Sequence, residues 1–259
     1  MSEWGFNLQN VTAKWSPQGK NILDGVNFTF RIHDSETALL PLMGPSGQGK
    51  STLLYLLAAL KWPTAGTVAW EFPDGTTYQF NTQTPHLNKE KIVQLRRQTF
   101  GFAFQNSTLS PHLRIIENIA YPLLPEQPWK QALAMAEETF NKVLLEEEQA
   151  DKETLLNSFP SQLSGGQRQR AALAQAIIHN PTVLFADEPT GQLDRHTRRQ
   201  VMQVLKQWVT EGQGQRCLIW VTHHHLGDLD MMGINELLFI EKTQCTPRTR
   251  QWLEDWLNQ

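Results

Sequence analysis

The 259-residue chain is short of three things, and each shortage removes a class of protein. It has only two cysteines, Cys217 and Cys245, with no metal-ligand spacing. That argues against a disulfide scaffold or a cysteine-built metal site, and both thiols are expected to stay reduced in a cytosolic protein. It has no excess of positive charge. Lys and Arg number 23 against 26 Asp and Glu, a net charge of −3 with a pI near 6.2. No electrostatic argument for nucleic acid follows, so no nucleic-acid partner is expected. It also lacks a long apolar run. "LLYLLAAL" (53–60) falls far short of the roughly 20 residues that cross a bilayer. The opening "MSEWGFNLQN" has neither the basic start nor the apolar stretch of a signal peptide. The expectation is a soluble protein with no direct membrane insertion, so any membrane role comes through a partner. With 40% hydrophobic and 19% charged residues, the chain can bury a core and is not disordered.

Along the chain, hydrophobic patterning changes twice. The first hundred residues read mainly as strands, with "GFNLQNVTAKW" and "NILDGVNFTFRI" alternating and "ETALLPLMG" a short buried strand. "KSTLLYLLAALKW" predicts a helix stopped by Pro63. "GTVAWEF" and "TTYQF", joined through "PDG", predict a hairpin. Residues 106 to about 162 read as helices. In "PWKQALAMAEETFNKVLL", Trp129, Leu133, Ala136, Phe140 and Val143 recur at helical spacing. Glu146 to Glu148 read as a solvated face or turn. From residue 181 strands and helices alternate again, which implies a mostly parallel sheet. The tail "RTRQWLEDWLNQ" predicts an amphipathic helix. Its Trp252, Leu253, Trp256 and Leu257 pack on the protein's own core or on a partner.

Chemistry concentrates at chain positions where strands end. Gly44, Pro45, Ser46, Gly47, Gln48, Gly49, Lys50 and Ser51 fit G-x-x-x-x-G-K-[ST], with a buried strand before and a helix after. Glycines let the loop curl so that N–H groups point inward, and the helix start adds partial positive charge. Lys50 then reaches the β- and γ-phosphates, and Ser51 offers its hydroxyl to Mg²⁺. "VLFADE" ends another buried strand in two acids. Asp187 suits a carboxylate that holds Mg²⁺ through water. Glu188 would point the other way along the strand and polarise the attacking water as general base. "VTHHH" ends a third strand. His223, the first residue out of the sheet, can donate to a γ-phosphate oxygen. His224 and His225 read as bystanders, because adjacent strand residues face opposite sides and make poor joint zinc ligands.

A second glycine-flanked helix start lies more than a hundred residues downstream, in "QLSGGQRQRAALAQA" (162–176). One triphosphate needs only one cradle. A second makes sense if Ser164 and the N–H groups of Gly165 and Gly166 complete the site of another copy, in head-to-tail apposition.

With these motifs in this order, the chain resembles the ATP-binding cassette (ABC) ATPases, the nucleotide-binding subunits of ABC transporters. The resemblance spans roughly residues 5 to 240. "LSGGQRQR" matches the family signature, and Gly44 to Thr52 its first phosphate loop. The resemblance implies that Trp15 stacks on adenine and that Gln105, in "FGFAFQNSTLSP", touches Mg²⁺ and the γ-phosphate. It implies that Asp194, in "GQLD", and Gln167 join Ser164, Gly165 and Gly166 in serving the partner's nucleotide. Glu188 becomes the catalytic base and His223 the switch histidine. The implied fold is α/β: a P-loop NTPase (RecA-like) core with a mostly parallel sheet, an antiparallel β layer and an inserted α-helical subdomain. As one domain over 1–259, the core and β parts take 1–105 and 176–241. The helical part takes 106–175 and the C-terminal helix 247–259. The implied ligands are ATP and Mg²⁺. The implied partners are a second ATPase copy or paired ABC subunit, and a membrane permease docking near 105–118. That places the chain in the cytoplasm, peripheral on the inner face of the plasma membrane.

"GFAFQNSTLSPHLRIIENIAYPLL" and "ADEPTGQLD" further resemble the ATPases of lipoprotein-release, macrolide-efflux and cell-division systems. Gln175 stands where the family usually has arginine, and His224 where it usually has aspartate. The alternative reading is a soluble ABC ATPase acting in DNA repair, chromosome handling or translation. Those usually carry two cassettes, long coiled coils or zinc modules. A P-loop kinase is a third, but it leaves the signature unexplained.

Overall fold

The computed structural model describes residues 3–34, 38–81, 89–104, 108–191, 193–223 and 226–258. Strands β1 (Trp4–Ala13), β2 (Leu23–Ile32) and β3 (Leu39–Met43) precede helix α1 (Lys50–Leu57). Strands β4 (Ala65–Glu71) and β5 (Thr77–Asn81) follow, then α2 (Lys89–Gln98) and β6 (Phe100–Phe104). A helical stretch comes next: α3 (Ile115–Ala120), α4 (Trp129–Val143), α5 (Lys152–Asn157) and α6 (Gly165–Ile177). The chain then alternates through β7 (Val183–Asp187), α7 (Arg195–Glu211), β8 (Cys217–Val221) and α8 (Leu226–Met232). It ends with β9 (Glu236–Glu241), β10 (Gln244–Thr249) and α9 (Arg250–Leu257).

Two sheets result. The antiparallel sheet runs β2-β1-β4-β5, and the larger sheet runs β10-β9-β3-β8-β7-β6. In the larger one, β6, β7, β8, β3 and β9 are mutually parallel, and only edge strand β10 is antiparallel. Strands β3 and β8 are buried along their whole length, as parallel strands covered on both faces must be. Pro41 sits in central strand β3, an unusual place for a residue without an N–H. It is tolerated where the ladder is one-sided, because pairing with β9 starts only at Leu42.

Aromatic rings fasten the two sheets together. Trp70 of β4 lies 5.8 Å from Phe100 of β6 and 6.2 Å from Phe185 of β7, measured between ring centroids. Edge-to-face and tilted contacts of this kind add to the area that the rings bury. Helix α1 is enclosed: Leu53, Leu54, Leu56 and Leu57 are all fully buried. The Trp70 indole donates to Leu57 O at 2.9 Å, tying the β layer to the end of that helix.

Several local expectations need correction. Helix α1 stops at Leu57, well before Pro63, because Ala59 turns left-handed (φ 53°) and Leu60 and Lys61 both donate back to Tyr55 O. Helix α2 was not read from the sequence. Among its described side chains the buried ones are Ile92 and Leu95, in a largely charged segment, too few for a periodic signal. In α4 the apolar face begins at Ala132, and Trp129 at the first turn stays exposed. Glu148 is not solvated as Glu146 and Glu147 are. The C-terminal helix packs on its own protein: Trp252 and Trp256 meet Phe239 of β9 at 4.9 and 5.1 Å, and Leu253 is buried. Both cysteines are buried and free, and burial pushes the Cys245 thiol up to about 12. The Cys217 thiol is pushed higher still, for the same reason.

Candidate functional site

Parallel strands deliver their C-terminal ends to one edge of a sheet, where side chains from distant sequence can meet. Here β3 leads into the glycine loop, β7 ends at Asp187, and β8 ends at Val221, just before His223.

The loop after β3 follows a path that only glycine permits at two points. Gly44 has φ 136°, and a Cβ there would lie 2.1 Å from Ile240 O of the neighbouring β9. Gly49, the N-cap of α1, has φ 106°, and its Cβ would press on Ile22 at 2.8 Å. No side chain caps the start of α1, so its first-turn amides face the loop. Lys50 Nζ reaches across this loop and donates to Gly44 O at 2.8 Å and Pro45 O at 3.0 Å. Burial holds its ammonium below the ordinary lysine range, with Glu188 and Asp187 opposing that shift. Gln48 does more than lend its backbone. Its Oε1 accepts from Lys242 N at 3.0 Å, so the loop is fastened to the β9–β10 turn.

Ser51, at the second position of α1, donates to Asp187 Oδ1 at 3.0 Å. Tyr55, one turn later on the same face, donates to Asp187 Oδ2 at 3.1 Å. Burial raises the Asp187 pKa, and the two hydroxyl donors offset part of that. Glu188 is not set by strand alternation, as the sequence pattern suggested. It lies just past β7 in the left-handed region (φ 51°), its N–H donating to Val221 O at 3.2 Å. A non-glycine residue held there costs on the order of 1–3 kcal/mol, a strain that clusters at functional sites. The turn places the Glu188 carboxylate in direct contact with His223 Nε2. Behind His223, Thr222 donates to buried Asp228 at 3.4 Å.

Trp15 stands beside this group, 60% exposed. Its indole N–H donates to Thr52 Oγ1 at 3.2 Å, and the Lys61 ammonium sits 4.4 Å from its ring centroid. Gln105, His224 and His225 lie outside the described residues.

The second glycine-flanked helix start is a separate structure. Ser164 hydrogen-bonds within its own helix start: its Oγ accepts from Gln167 N at 3.2 Å, its N–H donates to Gln167 Oε1 at 3.0 Å, and its C=O accepts from Arg168 N at 3.0 Å. Gln167 Nε2 continues to Glu148 Oε1 at 3.2 Å, the same oxygen that pairs with Arg170. Gly166 packs so closely on Thr197 of α7 that a Cβ would come within 2.5 Å of its methyl. Asp194 caps α7, with Oδ1 accepting from His196 N at 2.9 Å and Thr197 N at 3.1 Å. Ser164, Gly165, Gly166, Gln167 and Asp194 thus form one local assembly, and among the described residues no hydrogen bond joins Ser164 to the glycine loop.

Tyr55, Glu148 and Arg170 were missed by the motif reading. Tyr55 had a usable signal, its four-residue spacing from Ser51 on one helix. Glu148 had none, because its partner lies 22 residues away. The departure at Gln175 also finds a place. Its Oε1 accepts from Thr108 Oγ1 at 2.9 Å and its Nε2 donates to Asn118 O at 2.8 Å, joining α6 to the segment after β6.

The donor set suits a nucleotide triphosphate with a hard divalent cation. A curled loop backed by a helix start accepts phosphate, and the Ser51 hydroxyl beside the Asp187 carboxylate is an oxygen pair of the kind Mg²⁺ takes. The model of the family described as ABC transporter matches residues 23–191. The chain belongs to that family. It is an ATP-binding cassette subunit and an ATPase. It is 38% identical over 221 residues to the uncharacterized ABC transporter ATP-binding protein MJ0796 of Methanocaldococcus jannaschii, covering 84% of this chain and 86% of that one. It is 36% identical over 222 residues to the lipoprotein-releasing system ATP-binding protein LolD of Myxococcus xanthus, covering 85% and 89%. A solved dimeric structure of MJ0796, a bacterial ABC transporter cassette, superposes with a TM-score of 0.75 at 30% identity, over 95% of this chain and 98% of that one. A second, a dimeric post-hydrolysis state bound to ADP and Pi, gives 0.74 at 29% identity. Among the described residues, no helix is long and apolar enough to cross a membrane.

The Glu148–Arg170 pair carries a stability prediction. Arg170 is 3% exposed and a guanidinium cannot shed its charge, so Glu148→Ala strands a buried cation. Glu148→Ala is expected to lower the unfolding free energy by about 3 kcal/mol, and more than Arg170→Ala does. Urea titrations of both variants check this; a loss under about 0.5 kcal/mol, the size of an exposed pair, would refute it.

Proposed function

We propose that the cassette works as a dimer closed by ATP, each copy completing the other's site, and drives a separate membrane permease from the cytoplasmic face. The carrying observation is the separation of Ser164: an uncapped helix start at Gly49 suits one triphosphate, while among the described residues no hydrogen bond joins Ser164 to that loop. The dimeric MJ0796 cassettes support a dimer as the working unit. In this reading residues 106–175 are the helical arm that presents Ser164, Gly165, Gly166 and Gln167, with Asp194 beside them. The partner is a second copy or a paired ABC subunit.

Within one protomer, Trp15 receives the adenine on its exposed ring and the 44–52 loop holds the phosphates. Ser51 and Asp187, with Gln105, would hold Mg²⁺, which would supply positive charge to offset that of the phosphates. Glu188 orients a water against the γ-phosphorus and takes its proton as the new P–O bond forms and the bond to the ADP oxygen breaks. His223 keeps the Glu188 carboxylate in place and donates to the γ-phosphate as charge builds. The partner's Ser164 hydroxyl and helix-start amides close the far side and exclude water. Loss of the γ-phosphate removes what both halves share, and the dimer opens. The likeness to LolD and to the L-cystine transport system ATP-binding protein TcyN of Escherichia coli supports a permease partner. We place its docking groove at 105–118, in which Asn118 fixes the stretch 110–113: its side chain accepts from Ser110 N at 2.6 Å and donates to Leu113 O at 2.9 Å.

Glu188→Gln is expected to bind MgATP, hydrolyse it at least about a hundredfold more slowly, and elute as a dimer only with ATP in size-exclusion chromatography; a monomer in ATP sinks the dimer reading. Trp15→Ala is expected to weaken ATP binding by about fivefold through loss of a stacking face, read by titration with a fluorescent ATP analogue; unchanged affinity assigns Trp15 to packing alone. A photo-crosslinker at exposed Pro111 or His112 is expected to capture a co-purified membrane subunit, whereas capture only from the α9 surface would overturn the docking site.

A further inference from the structure

One side chain of the site belongs to none of the motifs. Tyr55 lies on α1, four residues after Ser51, so both hydroxyls leave the same face of the helix toward the end of β7. They divide one carboxylate between them. Ser51 Oγ donates to Asp187 Oδ1 at 3.0 Å and Tyr55 OH to Oδ2 at 3.1 Å. The phenol ring is itself fixed on two sides, edge-on to Trp15 at 6.3 Å and to Phe104 at 6.4 Å. Phe104 is the last residue of β6, immediately before Gln105.

We propose that Tyr55 is a positioning residue for the metal-bearing carboxylate, clamping Asp187 in the one orientation that serves Mg²⁺. This rests on the reading that Asp187 holds the ion. A carboxylate has about four lone-pair sites, so one donor on each oxygen leaves one site on each for metal-bound water. With Ser51 alone, the group would swing about its Cβ–Cγ bond, and Ser51 is itself drawn toward the ion. The phenol is a donor on the far oxygen that does not compete for the metal. Its ring contacts also place adenine-side Trp15, the carboxylate and the end of β6 on one rigid aromatic unit, so the clamp is pre-formed and loses little entropy on binding.

The test uses the full chain, a fluorescent non-hydrolysable ATP analogue, and Mg²⁺ titrated from EDTA-buffered solution. Tyr55→Phe keeps the ring and removes only the hydroxyl. Its affinity for the analogue in EDTA should stay within about twofold of the parent, while the Mg²⁺ concentration for half-maximal tight binding rises about five- to tenfold, the scale of one ordinary net hydrogen bond. Asp187→Asn, run in parallel, should lose the Mg²⁺-dependent gain. If Asp187→Asn keeps it, the metal reading of Asp187 fails and the proposal with it. If Asp187→Asn loses it but Tyr55→Phe titrates like the parent, the clamp alone is overturned. Weakening of Tyr55→Phe equally in EDTA and in Mg²⁺ also overturns it, because that marks a pocket-shaping role with no metal component.

Discussion

The hydrogen bond from Ser51 to Asp187 spans 136 residues of sequence, and the site depends on it. It joins the first turn of α1 to the end of β7. It can form only because β3 and β7 flank β8 in a parallel sheet with their C-terminal ends on one edge. The close approach of Gly44 to Ile240 O sets where the loop leaves that edge. The Trp70–Phe100–Phe185 contacts hold the antiparallel layer over α1. Movement in any of these would part the hydroxyl from the carboxylate.

The site is also built from strained and desolvated parts that the core must sustain. Glu188 occupies a left-handed backbone position, Lys50 is buried with its charge, and Asp187 is raised by burial toward its neutral form. Each is unfavourable in the isolated chain. Each becomes tolerable because opposite charges and hydroxyl donors are gathered around it. A phosphate-rich ligand with a divalent cation matches that arrangement, since it brings both signs of charge to the same place. The division between this site and the Ser164 assembly has a related logic. A helix start that is already self-capped through Gln167 can exchange that bond for a phosphate without unfolding its helix.

Motif spacing located the glycine loop, Lys50, Ser51, Asp187, Glu188 and His223, because each follows a short buried run whose end is visible in one dimension. The hairpin of β4 and β5 and the helix α4 were equally legible from alternation and helical spacing. Helix α2 was not, since two buried residues in a charged segment make no periodic stripe. Trp129 was assigned to a face it does not share, because spacing alone does not say where a core ends. Glu148 was read as solvated, since nothing local distinguishes it from Glu146 and Glu147. Its burial comes from Arg170, which folding brings across from α6.

What the sequence determined by itself was chemical capacity: which groups can bind phosphate, which can act as acid and base, and in what order they follow the strands. Those are properties of residue type and local backbone freedom, and glycine, lysine and carboxylate keep them in any fold. Only the tertiary structure decided how the groups are oriented. It put Tyr55 on the second oxygen of Asp187, turned Glu188 toward His223, fastened Gln48 to the β9–β10 turn, and laid α9 on Phe239. These outcomes depend on contacts between segments far apart in the chain, and such contacts are set by packing and burial, which leave no periodic trace in the residues that make them.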